Sequence, residues 1–274
     1  MVTFIIPDTF DLSSGHKRRR LTFFDWSGRI VKVFLNPKGG TGKSLFSYVF
    51  AQYLMSKNIK TQCIDCDPVT PTLNKYKALD VLYMDIMEGN DIQKTKFDNF
   101  AQIFMQSQED CHFVVDNGTS SYVALSEYLI SNDFISVLKE LGFDVSFHVI
   151  IVGGDNMEET IRGMNDIIIR FGDRAHIILW LNPFFGKIEK DGMLFELSPM
   201  FERCKERLYG ILRFPDFPKD TFGISFAKIQ KDRLCFHQVC DVNPAPNGYD
   251  IMTVHRVKLI RKQLFEMLDA VRIV

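Results

Sequence analysis

The sequence predicts an α/β protein with a doubly wound, mostly parallel central sheet and helices on both faces. Apolar runs rich in β-branched and aliphatic residues recur along the chain without polar alternation, as expected for parallel strands covered on both sides. Amphipathic stretches separate these runs, which implies crossover connections. A glycine-rich turn, PKGGTGKS at 37–44, joins the first run to the first helical stretch.

Each element is predicted from its own pattern. Strands are predicted at 29–35, 60–65, 111–116, 145–153 and 176–182, with a last short strand at 209–215. Helices are predicted from Lys43 to about Lys57 and at Tyr122–Leu141, Asn156–Phe171, Pro199–Tyr209 and 249–273. No repeat or linker divides the chain, so we predict a single domain at 29–274 behind an amino-terminal extension at 1–28.

Composition excludes some classes of protein. The chain has 33 Lys and Arg against 34 Asp and Glu. This balance argues against nucleic-acid binding over the whole surface and allows only local basic patches. No apolar run approaches the roughly 18 residues that span a bilayer. The amino terminus places its basic run HKRRR (16–20) after its apolar residues, the reverse of a secretory signal. The sequence therefore predicts a cytoplasmic protein, with HKRRR more readily a solvated tail than a nucleic-acid or membrane contact.

The six cysteines are predicted to be free and mostly buried thiols, which suits that compartment. Cys63 and Cys66 form a C-x-x-C pair in an apparent strand and its following turn. No second Cys or His pair lies at zinc spacing, so a structural role is favoured over a metal site.

The turn at 37–44 has the context of a phosphate-binding loop because it follows a strand and opens a helix. Its glycines let the backbone wrap an anion, and the helix offers unpaired N–H groups at its positive end. Lys43 would reach the β- and γ-phosphates of a nucleotide, and the Ser44 hydroxyl would ligate Mg²⁺. The predicted nucleotide contacts in this segment are Gly39, Gly40, Thr41, Gly42, Lys43, Ser44 and Leu45.

The strict pattern G-x-x-x-x-G-K-[ST] fails at Pro37, and NPKGGTGKS instead resembles the deviant Walker A loop of the ParA/MinD ATPases. The resemblance implies a P-loop NTPase fold of the SIMIBI type that binds ATP or ADP with Mg²⁺. It also makes Lys38 the signature lysine, which in that family reaches the phosphates of the nucleotide in the other subunit. Such a cation arrives only on assembly and acts like an arginine finger. The alternative is a solvated loop lysine.

Three later segments match the same family in order. CIDCDP ends the second strand, and the resemblance makes Asp67 the residue that positions or activates the attacking water near Mg²⁺. FVVDNGTS supplies Asp116 as a Mg²⁺ ligand, through water. Asn182 ends the fifth strand, at the position where members of the family recognise adenine. Pro215 lies in RFPDFP, which resembles the family's segment beside the base. Alone, Asp67 could merely cap the next turn.

The narrower resemblance is to the StbB/TraL-type ATPases of conjugative plasmids, through D-N-G at 116–118 and FPDFPKDTFGISFAKI. It implies an ATP-dependent homodimerisation switch with slow hydrolysis, serving plasmid or DNA partition, stability or conjugative transfer with a partner protein. One alternative is a P-loop ligase or kinase for a small metabolite, similar to dethiobiotin synthetase. Others are a MinD-like membrane-positioning ATPase and a scaffold that no longer responds to nucleotide.

Two carboxy-terminal surfaces are candidates for contact with a larger partner. Basic residues there could meet DNA phosphates, although a solvated face is favoured for each cluster; they are Lys228, Lys231, Arg233, Arg256, Lys258, Arg261 and Lys262. The helix at 249–273 is amphipathic. Its apolar side is predicted to pack on the sheet, so membrane binding is not favoured.

Overall fold

A computed structural model describes residues 28–107 and 110–271. The predicted extension at 1–28, including the basic run at 16–20, lies outside the described residues except for Gly28.

The core of the fold is a parallel sheet, accompanied by two short antiparallel hairpins. The strands are β1 Arg29–Phe34, β2 Thr61–Asp65, β3 Leu82–Tyr83, β4 Met87–Glu88, β5 Asp91–Ile92, β6 His112–Asp116, β7 Phe143–Val152, β8 His176–Asn182, β9 Glu189–Lys190, β10 Met193–Leu194 and β11 Gly210–Arg213. The strand order in the sheet is β11-β8-β7-β1-β6-β2-β3, and the hairpins are β4-β5 and β9-β10. The predicted parallel architecture is confirmed.

Helices cover both faces of this sheet, as predicted. Their bounds are α1 Lys43–Ser56, α2 Asp98–Gln106, α3 Tyr122–Ser131, α4 Phe134–Glu140, α5 Met157–Phe171, α6 Pro199–Cys204, α7 Ile224–Lys231, α8 Phe236–Cys240 and α9 Ile251–Val271. Alternation along β1 divides the core into two clusters. Val31 and Val33 face the cluster that includes α2 to α6, whereas Phe34 faces the cluster with α1, α7, α8 and α9.

Two predicted helices are shorter in the structure. The helix predicted at Tyr122–Leu141 breaks into α3 and α4 because Asp133 adopts a left-handed φ of 44°. Asp tolerates that conformation better than most residues, and the apolar spacing on both sides concealed the break. The helix predicted at Pro199–Tyr209 ends at Cys204 and continues as a single 3₁₀ turn.

The terminal helix α9 packs its apolar side on the sheet, as predicted. Val257, Ile260, Leu264 and Leu268 are fully buried in the cluster shared with α1. Ile251, at the first position of the helix, is by contrast 84% exposed. In the described part of the chain, no helix combines the length and apolar character required to cross a membrane.

Candidate functional site

The sequence-predicted residues converge at the carboxyl-terminal edge of the sheet. The loop after β1, the end of β2 and the end of β6 are neighbours, because Phe34 and Asp65 are both in register with Asp116. Asn182 ends β8 at the same edge, two strands away from β1. Ligands of open α/β sheets bind in the crevice outside the carboxyl ends of the strands. This edge is therefore the candidate site.

The glycine-rich loop is shaped by two left-handed glycines. Gly40 has φ 72° and Gly42 has φ 104°, conformations that other L-residues rarely adopt. The turn delivers the chain into α1 at Lys43, with no acidic residue in the first turn and no side-chain cap on the helix. The first N–H groups of α1 are therefore available to an anion.

Lys43 lies inside this loop rather than in solvent. Its Nζ donates to three oxygens: the carbonyls of Asn36 at 3.4 Å and Lys38 at 3.2 Å, and the Thr119 hydroxyl at 2.8 Å. Burial lowers the pKa of Lys43, while the carboxylates of Asp116 and Asp67 act in the opposite direction. The ammonium is thus held by neutral acceptors that a phosphate would outcompete.

Pro37 and Lys38 form a second part of the loop that packs against α5. A Cβ on Gly163 would lie only 2.6 Å from Pro37 Cγ, so the helix and the proline ring are in close contact. Lys38 Nζ pairs with Glu159 Oε2 at 2.9 Å, one helical turn before Gly163. The Lys38 N–H donates to the buried Asn36 side chain at 3.0 Å. Pro37 therefore has a packing partner on α5, and the Lys38 ammonium is paired with a carboxylate of the same helix.

We expect Gly163→Ala to destabilise the protein by about 1 kcal/mol and to weaken phosphate binding. The added methyl must displace Pro37, and overpacking costs about 1–3 kcal/mol, more than the roughly 1 kcal/mol that alanine gains in a helix. Urea unfolding and nucleotide titration measure the two effects. Ile169→Ala on the exposed side of α5 is the control. Pro37→Gly should suppress the cost of Gly163→Ala, and strictly additive effects would contradict this contact.

Asp116 is the buried carboxylate of the site. Its Oδ1 accepts from the Ser47 hydroxyl at 3.2 Å, and Ser44 also donates to this carboxylate. Burial, followed by the neighbouring Asp65 carboxylate, raises the pKa of Asp116 to about 7. Among the described residues, Asp116 Oδ2 has no hydrogen-bond partner although it is buried. An unpaired buried carboxylate oxygen beside Ser44 suits a hard cation, so these residues fit Mg²⁺.

Asp65, the last residue of β2, and Asp67, two residues later, have different hydrogen-bond partners. Asp65 accepts from the N–H groups of Asp67 at 3.0 Å and Asn74 at 2.9 Å, which fixes the turn. Asp67 Oδ1 accepts from Val69 N and Thr70 N, so this oxygen caps the turn. A Cβ on Gly118 would lie 2.6 Å from Asp67 Cγ, which places the Asp67 carboxyl group against the loop after β6. The Asp67 side chain therefore both caps the turn and lies next to the candidate site.

Asn182 contacts the glycine-rich loop directly. Its Nδ2 donates to the Thr41 carbonyl at 3.0 Å, and its Oδ1 accepts from Phe184 N at 3.2 Å. Pro215 follows Phe214, whose N–H donates to the Leu181 carbonyl beside Asn182. The structure thus brings Asn182 and Pro215 to the same edge, and the Asn182 amide holds the loop in place.

Comparison with known proteins identifies the family of the chain. Residues 32–232 match the family described as the CobQ/CobB/MinD/ParA nucleotide binding domain. The chain belongs to this family. Two Escherichia coli proteins named TraL are similar: one is 37% identical over 240 residues, covering 88% of this chain and 97% of the relative. The other is 35% identical over 239 residues, covering 87% and 97%.

A solved structure agrees at the level of the fold. The ParA family ATPase from Chlorobium tepidum TLS matches 86% of this chain and 98% of its own, at 12% identity and a TM-score of 0.50. The predicted resemblance to ParA/MinD proteins and to the TraL-type branch is confirmed. The chain therefore contains a nucleotide-binding domain with the P-loop NTPase fold.

Several contacts of this MinD/ParA-family site were not predicted from the sequence. Ser47 lies one helical turn after Lys43, and that spacing could have predicted a second hydroxyl beside Asp116. Glu159, Gly163 and Thr119 come from other elements, and nothing local in the sequence assigns them to the loop.

Other candidate sites receive no support as ligand sites. All six cysteines are free, and the described residues contain no cluster of three or more His, Cys, Asp or Glu that could hold a metal. Several candidate DNA contacts are engaged within the chain. Lys228 pairs with Asp232 at 3.0 Å and Arg261 pairs with Asp241 at 2.6 Å. Arg233 lies over the Tyr76 ring.

Proposed function

We propose that the protein is an ATPase in which ATP binding joins two copies of the chain and slow hydrolysis separates them. One observation carries the proposal: the loop presents two lysines in different settings. Lys43 is buried among loop acceptors, whereas the Lys38 side chain is 31% exposed and pairs with Glu159 of α5. A single nucleotide site needs the first lysine alone. The second can serve the nucleotide of another copy.

The residues of the site fit ATP with Mg²⁺. Ser44, Asp116 and Asp67 would hold the cation, with Asp116 acting through water, and the bound cation would neutralise charge on the phosphates. The backbone from Gly39 to Leu45 and the start of α1 would wrap the phosphates. Asn182 and Pro215 would lie beside the base.

Three residues of the chain would have separate roles in hydrolysis. Lys43 stabilises charge on the β- and γ-phosphates from within the loop, and Lys38 adds a second charge from the partner copy. Asp67 has one oxygen committed to the turn, so its other oxygen is the candidate to orient the attacking water. Both lysines contribute by placing a positive charge next to the phosphates, because phosphoryl transfer depends mainly on alignment and charge stabilisation.

We place this ATPase in plasmid or DNA partition, stability or conjugative transfer, with a partner protein that reads the ATP-bound dimer. The similarity to the TraL proteins supports this assignment. DNA contact would use the basic residues at the carboxy-terminal end, beginning with Lys231 and Lys258. A steep loss of DNA binding with salt would support such phosphate contacts.

Size-exclusion with a non-hydrolysed ATP analogue tests the switch. We expect the wild type to elute as a dimer with the analogue and as a monomer with ADP. Asp67→Asn keeps an acceptor for Val69 and Thr70, and it should hold the dimer in ATP itself by slowing hydrolysis about 100-fold. Lys38→Ala should prevent the dimer while leaving nucleotide affinity nearly unchanged.

Glu159→Gln is the matched control for Lys38. It removes the charge that holds Lys38 within its own chain and leaves the lysine in place. We expect it to dimerise at least as well as the wild type. If Lys38→Ala changes neither dimerisation nor hydrolysis, the dimer proposal is wrong. ATP consumption that depends on a small acceptor would contradict it as well.

A further inference from the structure

Thr119 joins the loop after β6 to the phosphate-binding loop. Its hydroxyl accepts from Lys43 Nζ at 2.8 Å. A Cβ on Gly39 would lie 3.6 Å from the same oxygen, so the hydroxyl lies directly over the glycine-rich backbone. Thr119 therefore lies where the predicted phosphate contacts converge, although it was not among the residues predicted from the sequence.

The Thr119 hydroxyl also has a proton to donate. A hydroxyl provides one donor and two acceptor positions, and here one acceptor position is used by Lys43. Across residues 28–107 and 110–271 this proton has no acceptor. Accepting a bond from an ammonium makes the hydroxyl a stronger donor. An acceptor that approached Lys43 could then receive hydrogen bonds from both groups, a pairing that favours an anion.

The loop that carries Thr119 is fixed by buried polar contacts. Asn117 donates from Nδ2 to the Gly118 carbonyl at 2.9 Å, and Ser121 donates to Asn117 Oδ1 at 2.8 Å. Both side chains are buried. On the other side, Gly118 packs so closely on Asp67 that a methyl group would not fit. Thr119 is thus held between the candidate hydrolytic carboxylate and the phosphate-binding lysine.

We propose that Thr119 binds the terminal phosphate of ATP, with its hydroxyl donating to an oxygen of that phosphate. This inference rests on the proposed function, since it names a contact within the same site. ADP lacks the terminal phosphate and makes no such contact. Thr119 is therefore a specificity-determining residue that favours ATP over ADP.

Isothermal titration of full-length protein with ADP and with AMPPNP, both with Mg²⁺, tests the proposal. Thr119→Val replaces the hydroxyl with a methyl group of similar size. We expect it to weaken AMPPNP binding about tenfold, the equivalent of about 1.4 kcal/mol, and to change ADP binding less than about threefold. Thr119→Ser keeps the hydroxyl and should restore the difference between the two nucleotides.

The outcomes separate this inference from the proposed function. If the wild type binds neither nucleotide, the proposed function fails. If the wild type binds both and Thr119→Val changes the two affinities equally, the hydroxyl serves Lys43 alone and this inference fails. Tighter binding of both nucleotides by Thr119→Val would also overturn it, because the hydroxyl would then compete with phosphate for the lysine.

Discussion

Lys43→Met should lower the rate of ATP hydrolysis by about 100- to 1,000-fold, the scale of losing one preorganised charge-stabilising donor, and should also weaken nucleotide binding. The Lys43 ammonium is held at the mouth of the loop by Asn36, Lys38 and Thr119, so it is in place before phosphate arrives. Methionine has a similar length and no charge. It can fill the same buried space without replacing any of these hydrogen bonds.

Stability must be measured beside activity in this variant. Burial lowers the pKa of Lys43, so losing the charge removes a desolvation cost as well as three hydrogen bonds. We therefore expect the unfolding free energy in the absence of nucleotide to change by only about 1 kcal/mol. Lys60→Met, at an exposed ion pair with Asp110, is the control. Hydrolysis by Lys43→Met within threefold of wild type would contradict the assignment of this loop.

A second large effect is expected far from the loop, at Lys32 in the middle of β1. Its side chain is 1% exposed, and its Nζ lies 2.8 Å from His112 Nδ1. Burial lowers the pKa of Lys32 from its ordinary value to about 7. His148, also buried, accepts from Trp180 and is a neighbour whose pKa is lowered chiefly by burial and then by Lys32. The charged lysine has no carboxylate partner among these contacts.

The sign of the pH dependence follows from that shift. Below pH 7 the lysine is protonated in both the folded and the unfolded chain. Between pH 7 and about 10.5 the unfolded chain binds more protons than the folded chain, so folding stability rises with pH. Relative to Lys32→Met, the wild type should gain about 3 kcal/mol between pH 7 and pH 9.5, at roughly 1.4 kcal/mol per pH unit.

Urea unfolding of both proteins across this range measures the gain as a difference. Tyrosines and cysteines whose pKa values are raised by burial are present in both proteins, so their contributions cancel. Lys60→Met again serves as the exposed control and should run parallel to the wild type. A constant difference between wild type and Lys32→Met over the same range would show that Lys32 keeps its charge in the folded protein.

Features that depend on a short stretch of sequence could be predicted from the sequence alone. The glycine loop, Asp67, Asp116 and Asn182 each end or follow a strong apolar run, and parallel strands bring such ends to one edge. The apolar runs predicted most strands of the sheet within two residues. The edge strand β3 was missed, because two residues carry too little periodicity to be recognised.

Contacts between elements that are distant along the chain could not be predicted from the sequence. Glu159 and Gly163 are separated from Lys38 and Pro37 by more than a hundred residues, and they read as ordinary helix residues. Lys32 is the one polar residue within the run IVKVF, and nothing nearby in the sequence indicates that it lies opposite His112. Such pairings depend on strand order and register, which local pattern does not encode.

The start of α5 contacts two other segments of the chain. Adjacent helix residues point in different directions, and here Glu158 pairs with Lys190 of the β9-β10 hairpin while Glu159 holds Lys38. The turn before the helix is tied to the same region, since Gly153 leaves no room for a side chain against the Gly186 carbonyl. The first turn of α5 thus contacts both the β9-β10 hairpin and the glycine-rich loop, so these two distant parts of the chain meet at one helix end.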